Sequence, residues 1–302
     1  MIVILGPTAT GKTAIATRLA ATINGEIISA DSRQVFRGMD IGTGKDLSEY
    51  MVDETPIPYH LIDIADPGTE YSLFNFQHDC YRAYDEIVAY GNIPILCGGT
   101  GLYMESVIRA YPIVEVPMNE ELRTRLQPLS LDQLSEMLAK LKKLHNHTDT
   151  ESRERVLRAI EIETFYRDYP QKVENSRKVI EPMAIFGVYF DREVIRQRIT
   201  QRLKERLENG MIEEVQRIVD RGVSHERLQK YGLEYKYVSL YLQNKLSYDA
   251  LFEELNIAIH QFAKRQTTWF RRMEKNGISI VWLDGSWSID EKVQKIVNSL
   301  KI

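Results

Sequence analysis

Residues 6–13 read Gly-Pro-Thr-Ala-Thr-Gly-Lys-Thr, the pattern G-x-x-x-x-G-K-[ST], behind the apolar run Met1–Leu5 and ahead of a helical stretch from Ala14 to Ala21. No other stretch constrains the fold as tightly: a strand has to stop where an anion-wrapping turn begins, and a helix has to follow. The glycines let the backbone close around phosphate oxygens. The N–H groups of Thr8, Ala9, Thr10 and Gly11, with the positive end of the following helix, attract the anion. Lys12 adds a point charge, and the Thr13 hydroxyl is a candidate Mg²⁺ ligand. A diphosphate or triphosphate is therefore expected here. A glycine-rich turn with an exposed lysine is the plainer alternative, but it leaves Thr13 unexplained.

The chain has 302 residues, enough for one large domain or two smaller ones. Hydrophobic residues make up 43% and charged residues 27%, so a sizeable core can be buried. The first strand begins at once, so no leader peptide is expected. No apolar run approaches the roughly 18 residues that span a bilayer. Cys80 and Cys97 are isolated and form no metal-binding spacing, which fits a reduced cytoplasmic protein. A net charge of −4 does not advertise nucleic-acid binding, but local charge matters more than the sum.

Strands and helices alternate through the first hundred or so residues. Residues 1–5, 26–30 and 93–97 read as strands; 12–22, 72–90 and the stretch from Leu102 read as helices. This order predicts βαβ units and a parallel sheet, with Gly6–Thr13, Asp31–Gln34 and Gly98–Thr100 converging at the strand C-terminal ends. Residues 119–170 are almost continuously helical in pattern, with candidate helices Ser130–Lys143 and Glu151–Tyr166 and an exit at Tyr169-Pro170. Met183–Phe190 reads as a returning buried strand. A long helix spans Arg192–Asn209 with Gly210 as terminator, more helices fill 211–274, and Ile278–Leu283 is the last strand. The fold class is therefore α/β, with a core of 1–114 and 182–302 and a helical insertion at 115–181.

Asp31, in Ser29-Ala30-Asp31-Ser32-Arg33-Gln34, is either a general base facing the phosphate loop or a cap of the next turn. Thr100, in Gly98-Gly99-Thr100-Gly101, either offers a hydroxyl to substrate or caps a helix. Arg198, Arg202 and Arg206 recur every four residues on one helix face, which suits phosphate binding or a solvated surface. Lys264-Arg265-Gln266-Thr267-Thr268-Trp269-Phe270-Arg271-Arg272 interleaves cations with aromatics. This suits single-stranded RNA, or an amphipathic helix with Trp269 and Phe270 packed inward. His145, His147 and Asp149 read as a polar loop rather than a metal site. No apolar run ends in the paired acids of a Walker B strand, so the ATP-binding motif stands without its usual partner.

These residues resemble the tRNA dimethylallyltransferase family. The resemblance is carried by Gly6–Thr13, Ile28–Thr43, His60-Leu61-Ile62-Asp63-Ile64, Tyr71-Ser72, Gly98–Tyr103 and Lys264–Trp269, in family order along almost the whole chain. It implies a kinase-like P-loop core that transfers a prenyl group rather than a phosphoryl group, plus an all-helical insertion that clamps the anticodon stem. The donor would be dimethylallyl diphosphate, and the acceptor N6 of the adenosine 3′ of the anticodon in tRNAs reading codons that begin with U. Asp31 and Thr100 would be catalytic. Thr8, Ala9, Thr10, Gly11, Lys12, Thr13 and Arg202 would hold the diphosphate, with Mg²⁺ on Thr13. Asp31, Ser32, Arg33, Gln34, Arg123, Arg155, Arg158, Lys264, Arg265, Gln266, Trp269 and Arg271 would contact tRNA. A cytoplasmic monomer with no membrane partner is expected.

The chain departs from the family pattern at three places. Glu234 stands where a glycine usually precedes the Tyr-Arg or Tyr-Lys pair, here Tyr235-Lys236. Gly42-Thr43-Gly44-Lys45-Asp46 replaces Gly-Thr-Ala-Lys-Pro. Leu207 stands for a methionine of the arginine helix. The rival readings are an adenylate isopentenyltransferase acting on free AMP or ADP, a small-molecule kinase, and an inactive RNA-binding protein. The insertion, the missing Walker B acids, and the joint presence of Lys12, Asp31 and Thr100 argue against them in turn.

Overall fold

Ile2, Val3, Ile4 and Leu5 are each 0% exposed, so β1 (Ile2–Leu5) is covered on both faces, as an interior strand of a parallel sheet must be. The computed structural model describes residues 1–142 and 150–300; His145, His147 and Asp149 lie outside the described residues. After β1 come α1 (Lys12–Ile23), β2 (Gly25–Ala30), an antiparallel ribbon of β3 (Met51–Val52) and β4 (Thr55–Pro56), β5 (Tyr59–His60), α2 (Leu73–Ala89), β6 (Ile93–Gly98) and α3 (Gly101–Ile108). Among the described residues there follow α4 (Glu120–Leu126), α5 (Leu131–Leu141), α6 (Arg153–Asp168) and α7 (Pro170–Asn175). The chain continues through β7 (Ala184–Tyr189), α8 (Arg192–Glu208), α9 (Met211–Asp220), α10 (His225–Leu228), α11 (Leu233–Leu242), α12 (Tyr248–Lys275), β8 (Val281–Asp284) and α13 (Ile289–Leu300).

The main sheet has the order β5-β2-β6-β1-β7-β8, and every pairing in it is parallel. Leu5 pairs with Gly98, and Gly98 with Ala30. Three strands thus end on one register row, and the three loops singled out by sequence leave the sheet side by side. One face of the sheet packs Leu5, Ile28 and Leu96 against Phe76, Met104 and Phe270. The other packs Ile4, Ile27 and Ile95 against Ile15 and Leu19 of α1. A further core joins α8, α9, α11 and α12 to Val35, Phe36 and Met39 of the loop after β2.

The chain separates into two compact units, Met1–Arg109 with Ile180–Ile302, and Ala110–Val179. The second unit is helical, with a core of Leu122, Leu126, Leu134, Leu138, Val156 and Ile160. Ser130 and Gln133 form a capping box that starts α5.

Beyond shifts of one or two residues at several element ends, the boundaries at Pro170 and Ile278 differ from the sequence-based expectation. Pro170 does not end the helical stretch but occupies the start of α7, where a missing N–H costs nothing. The last strand begins at Val281 rather than Ile278, because Ile278 and Ile280 pack beside Phe270 and Met273 before pairing starts. Gly210 follows the arginine helix at φ 94° and lies at the N-cap of α9.

Candidate active site

The phosphate loop is held open by its own backbone. Ala9 (φ 64°) and Gly11 (φ 72°) both take the left-handed conformation, which turns successive N–H groups toward one centre. For alanine this costs about 1–2 kcal/mol. The Thr10 hydroxyl donates to the Pro7 carbonyl at 2.9 Å, and Lys12 Nζ reaches the same carbonyl at 3.3 Å. Burial pushes the Lys12 ammonium below its usual range, although Cys97 and Asp31 act against this.

A cavity of about 70 Å³ sits above the strand ends, lined by Thr8, Lys12, Thr13, Asp31, Arg33 and Arg202 among others. Asp31 follows the last residue of β2. Its Oδ1 accepts the Arg33 N–H at 2.9 Å, so it caps the turn while still facing the cavity. Thr100 stands at the N-cap position of α3 but its side chain makes no capping bond. Instead its Oγ1 accepts the Ser32 N–H at 3.2 Å, tying the Asp31 turn to the β6 loop. Gln34 is also committed within the protein: its amide donates to the Gly44 carbonyl at 3.1 Å and accepts from Ser29 Oγ at 3.2 Å.

The arginine face of α8 turns toward the phosphate loop. Arg198 Nε donates to the Ala9 carbonyl at 2.8 Å, and Arg202 Nη2 donates to the Thr8 hydroxyl. Burial, and then the neighbouring Arg206, pull the Arg202 guanidinium down to about 9. Charge of this kind, buried and only partly balanced, favours an anionic ligand. Arg202 also lines a larger cleft of about 430 Å³ with Gly11, Glu49, Arg198 and Gln201, which opens the loop to solvent.

Oxygen donors for a hard cation are present beside Thr13. Glu49 lines the same cavity as Thr13, and burial raises its carboxyl above the usual range. Asp46 shares the same cavity lining. Among the described residues no group of three or more His, Cys, Asp or Glu side chains is arranged to hold a metal by itself. The donor set therefore suits a cation that takes Thr13 and draws its remaining ligands from a bound diphosphate and water.

The expected RNA-facing residues divide sharply. Lys264, Arg265 and Arg271 are exposed on α12, where Lys264, Thr268 and Arg271 follow one another along one face. Gln266 turns inward. It is 8% exposed, its Oε1 accepts the Thr8 N–H at 2.8 Å, and its Nε2 donates to the Gly99 carbonyl at 2.8 Å. It braces the two loops from inside and also lines the cavity between them. Trp269 is half-buried against the core, over Gly101 and under the Arg272 guanidinium at 4.0 Å. Arg33 is ion-paired to Glu234 at 2.8 Å and lies over the Phe262 ring at 5.3 Å.

In the helical unit, Arg123 and Arg158 converge on buried Glu161, at 2.6 and 3.1 Å, and hold its carboxyl below the usual range despite burial. Arg155 pairs with Glu151 at 2.7 Å and is exposed. Among the described residues no helix is long and apolar enough to cross a membrane.

One residue that shapes the site, Glu214, carried no functional signal in the sequence, and a second, Arg206, carried only its periodicity. Glu214 accepts the N–H groups of Asp40, Ile41 and Gly42 and the Tyr235 hydroxyl at 2.7–3.1 Å, and so fixes the loop that carries Gly44 and Asp46 to the cavity. Arg206 follows the arginine periodicity, but its wedging against Gly44 depends on the path of that loop.

Residues 34–273 match the family model described as IPP transferase, and residues 1–57 match one described as isopentenyl transferase. The chain is 52% identical over 301 residues to a protein of Bacteroides fragilis named tRNA dimethylallyltransferase 2, covering 100% of this chain and 98% of that one. It is 54% identical over 289 residues to a protein of the same name from Syntrophotalea carbinolica, covering 95% and 94%. Among solved structures, the full-length tRNA isopentenylpyrophosphate transferase of Bacillus halodurans superposes with a TM-score of 0.71 at 32% identity, covering 99% and 95%. A eukaryotic dimethylallyltransferase described as acting on tRNA superposes with a TM-score of 0.77 at 25% identity, covering 99% and 78%.

Proposed function

This chain belongs to the IPP transferase family, and we propose that it transfers a dimethylallyl group from dimethylallyl diphosphate to tRNA. The acceptor is N6 of the adenosine immediately 3′ of the anticodon, in tRNAs reading codons that begin with U. The reading rests above all on one observation: the Asp31 carboxylate, the phosphate loop and Arg202 line a single cavity at the ends of the parallel strands.

The chemistry follows from that arrangement. N6 attacks the allylic carbon, the bond from that carbon to the diphosphate oxygen breaks, and the N6 proton passes to Asp31. An exocyclic amine is a weak nucleophile at neutral pH, so positioning and proton removal both count. Lys12, the Thr8–Thr13 backbone and Arg202 stabilise the charge that develops on the departing diphosphate. Thr100, through its bond to the Ser32 N–H, keeps Asp31 in place. Mg²⁺, when bound at Thr13, neutralises part of the diphosphate charge. The target base has to leave the anticodon stack to reach the cavity, at a cost of about a few kcal/mol.

Lys264, Arg265 and Arg271 form the phosphate-contacting face on the core unit, and exposed Arg155 is the corresponding cation on the helical unit. The insertion serves as the anticodon-stem clamp. Both cysteines are free and buried, in keeping with a cytoplasmic setting, and a monomer is the working form.

The test is transfer of labelled dimethylallyl from its diphosphate, with Mg²⁺, to unmodified tRNA and separately to AMP. Label in tRNA alone, lost in Asp31→Ala, supports the reading. Label in AMP moves the protein to the mononucleotide class. ATP hydrolysis with no label in either acceptor overturns it.

A further inference from the structure

Glu234 lies between the two halves of this site. Its side chain is 4% exposed, and its carboxylate is shared: Oε2 takes Arg33 Nη1 at 2.8 Å and Oε1 faces Arg206 Nη1 at 4.0 Å. Arg33 in turn places its Nε 3.8 Å from Asp31 Oδ1. On the other side Arg206 stands next to Arg202 and weakens its charged form. A continuous line of charge therefore runs from Asp31 through Arg33, Glu234 and Arg206 to Arg202 and Thr8.

Arg206 is held there by shape as well as charge. A Cβ on Gly44 would fall 1.9 Å from Arg206 Nη2, so a larger residue there would push the guanidinium out of this position. That same Nη2 is buried and has no hydrogen-bond partner in the structure. Three guanidiniums, Arg33, Arg202 and Arg206, are thus crowded together. Asp31 and Asp46 lie at the margins, and Glu234 is the carboxylate seated between them. Glu234 also occupies the first turn of α11, where negative charge suits the helix, but that placement alone does not require burial against two arginines.

We propose that Glu234 is a positioning residue for the transfer reaction: it fixes Arg33 beside Asp31 and limits the positive charge behind Arg202, so that diphosphate is held for reaction and then released. The inference rests on the proposed function for its turnover arm. Its diphosphate arm stands independently.

The test is a cycle of full-length variants, Glu234→Gln, Arg206→Met and the double variant. Inorganic pyrophosphate affinity is measured by calorimetry and turnover with tRNA is measured alongside. Loss of the carboxylate leaves more uncompensated positive charge, so Glu234→Gln is expected to bind pyrophosphate about tenfold tighter and to turn over about tenfold more slowly. Arg206→Met is expected to bind it several-fold more weakly. The double variant, with one charge of each sign removed, should return to within about threefold of the parent, as opposing charge effects require. Unchanged or weaker pyrophosphate binding in Glu234→Gln, or turnover in Glu234→Gln that does not fall, overturns the proposal. If Glu234→Gln does not fold, Arg206→Met alone decides: unchanged pyrophosphate affinity overturns the proposal. If the parent protein modifies no tRNA, the function reading fails while the pyrophosphate cycle still judges Glu234.

Discussion

The Gln266 carboxamide oxygen accepts the backbone N–H of Thr8 at 2.8 Å, across 258 residues of sequence. The other end of the same amide donates to Gly99. One side chain of α12 therefore spaces the phosphate loop against the loop after β6. The spacing of these two loops depends on a buried amide rather than on either loop alone.

Replacing Gln266 with Leu leaves the Thr8 N–H and the Gly99 carbonyl buried without partners. Each orphaned group costs about 1–3 kcal/mol, and a small shift in the loops is expected to lower turnover about 100-fold. Gln266→Glu keeps the acceptor but points charge at the phosphate loop, so it should weaken pyrophosphate binding more than Gln266→Leu does. Thermal unfolding and pyrophosphate titration of the two variants separate the brace from the charge.

Lys12 is charged against the preference of its surroundings, because burial lowers its pKa. Between the folded value and the ordinary lysine value the unfolded chain holds a proton that the folded chain has lost, so the stability of the ligand-free protein should rise with pH through that window and be lowest below it. Lys12→Met removes the cost. It is expected to raise the melting temperature at neutral pH, to flatten this pH dependence, and to abolish stabilisation by pyrophosphate. A Lys12→Met protein that melts lower than its parent, or that pyrophosphate still stabilises, would contradict this account.

The exposed cations of α12 are expected to govern affinity for tRNA without touching the chemistry. With Lys264, Arg265 and Arg271 all changed to Ala, the dependence of log K on log salt should fall by about 2–3, close to one unit for each phosphate that no longer meets a cation. Turnover at saturating tRNA should be preserved. Filter binding across a salt series, beside a saturation assay, distinguishes this from a folding defect, which would lower both.

Much of the fold was legible because its signals are local. A β-strand buried on both faces announces itself as Ile-Val-Ile-Leu, and the helix over 72–90 follows from local apolar periodicity, observed as α2. The roles of individual cations were less legible. Arg123 and Arg158 look in sequence like cations offered to RNA, yet both are drawn onto Glu161, because a buried carboxylate cannot remain unpaired. Arg33 is likewise held by Glu234, which in sequence was only a departure from the family pattern.

What the sequence by itself determined is the phosphate loop, the alternation that makes the sheet parallel, and hence the edge where Asp31 and the loop meet. Each depends on residues within one turn or one strand, and the geometry of a βαβ unit leaves little choice about where strand ends lie. Only the tertiary structure decided that Gln266 faces inward, that Arg198 and Arg202 close on the phosphate loop, and that Glu234 sits between Arg33 and Arg206. Those outcomes depend on the rotation of α8, α11 and α12 against cores assembled from distant segments. A shift of one residue along a helix turns a side chain by about 100° and exchanges a bound partner for water.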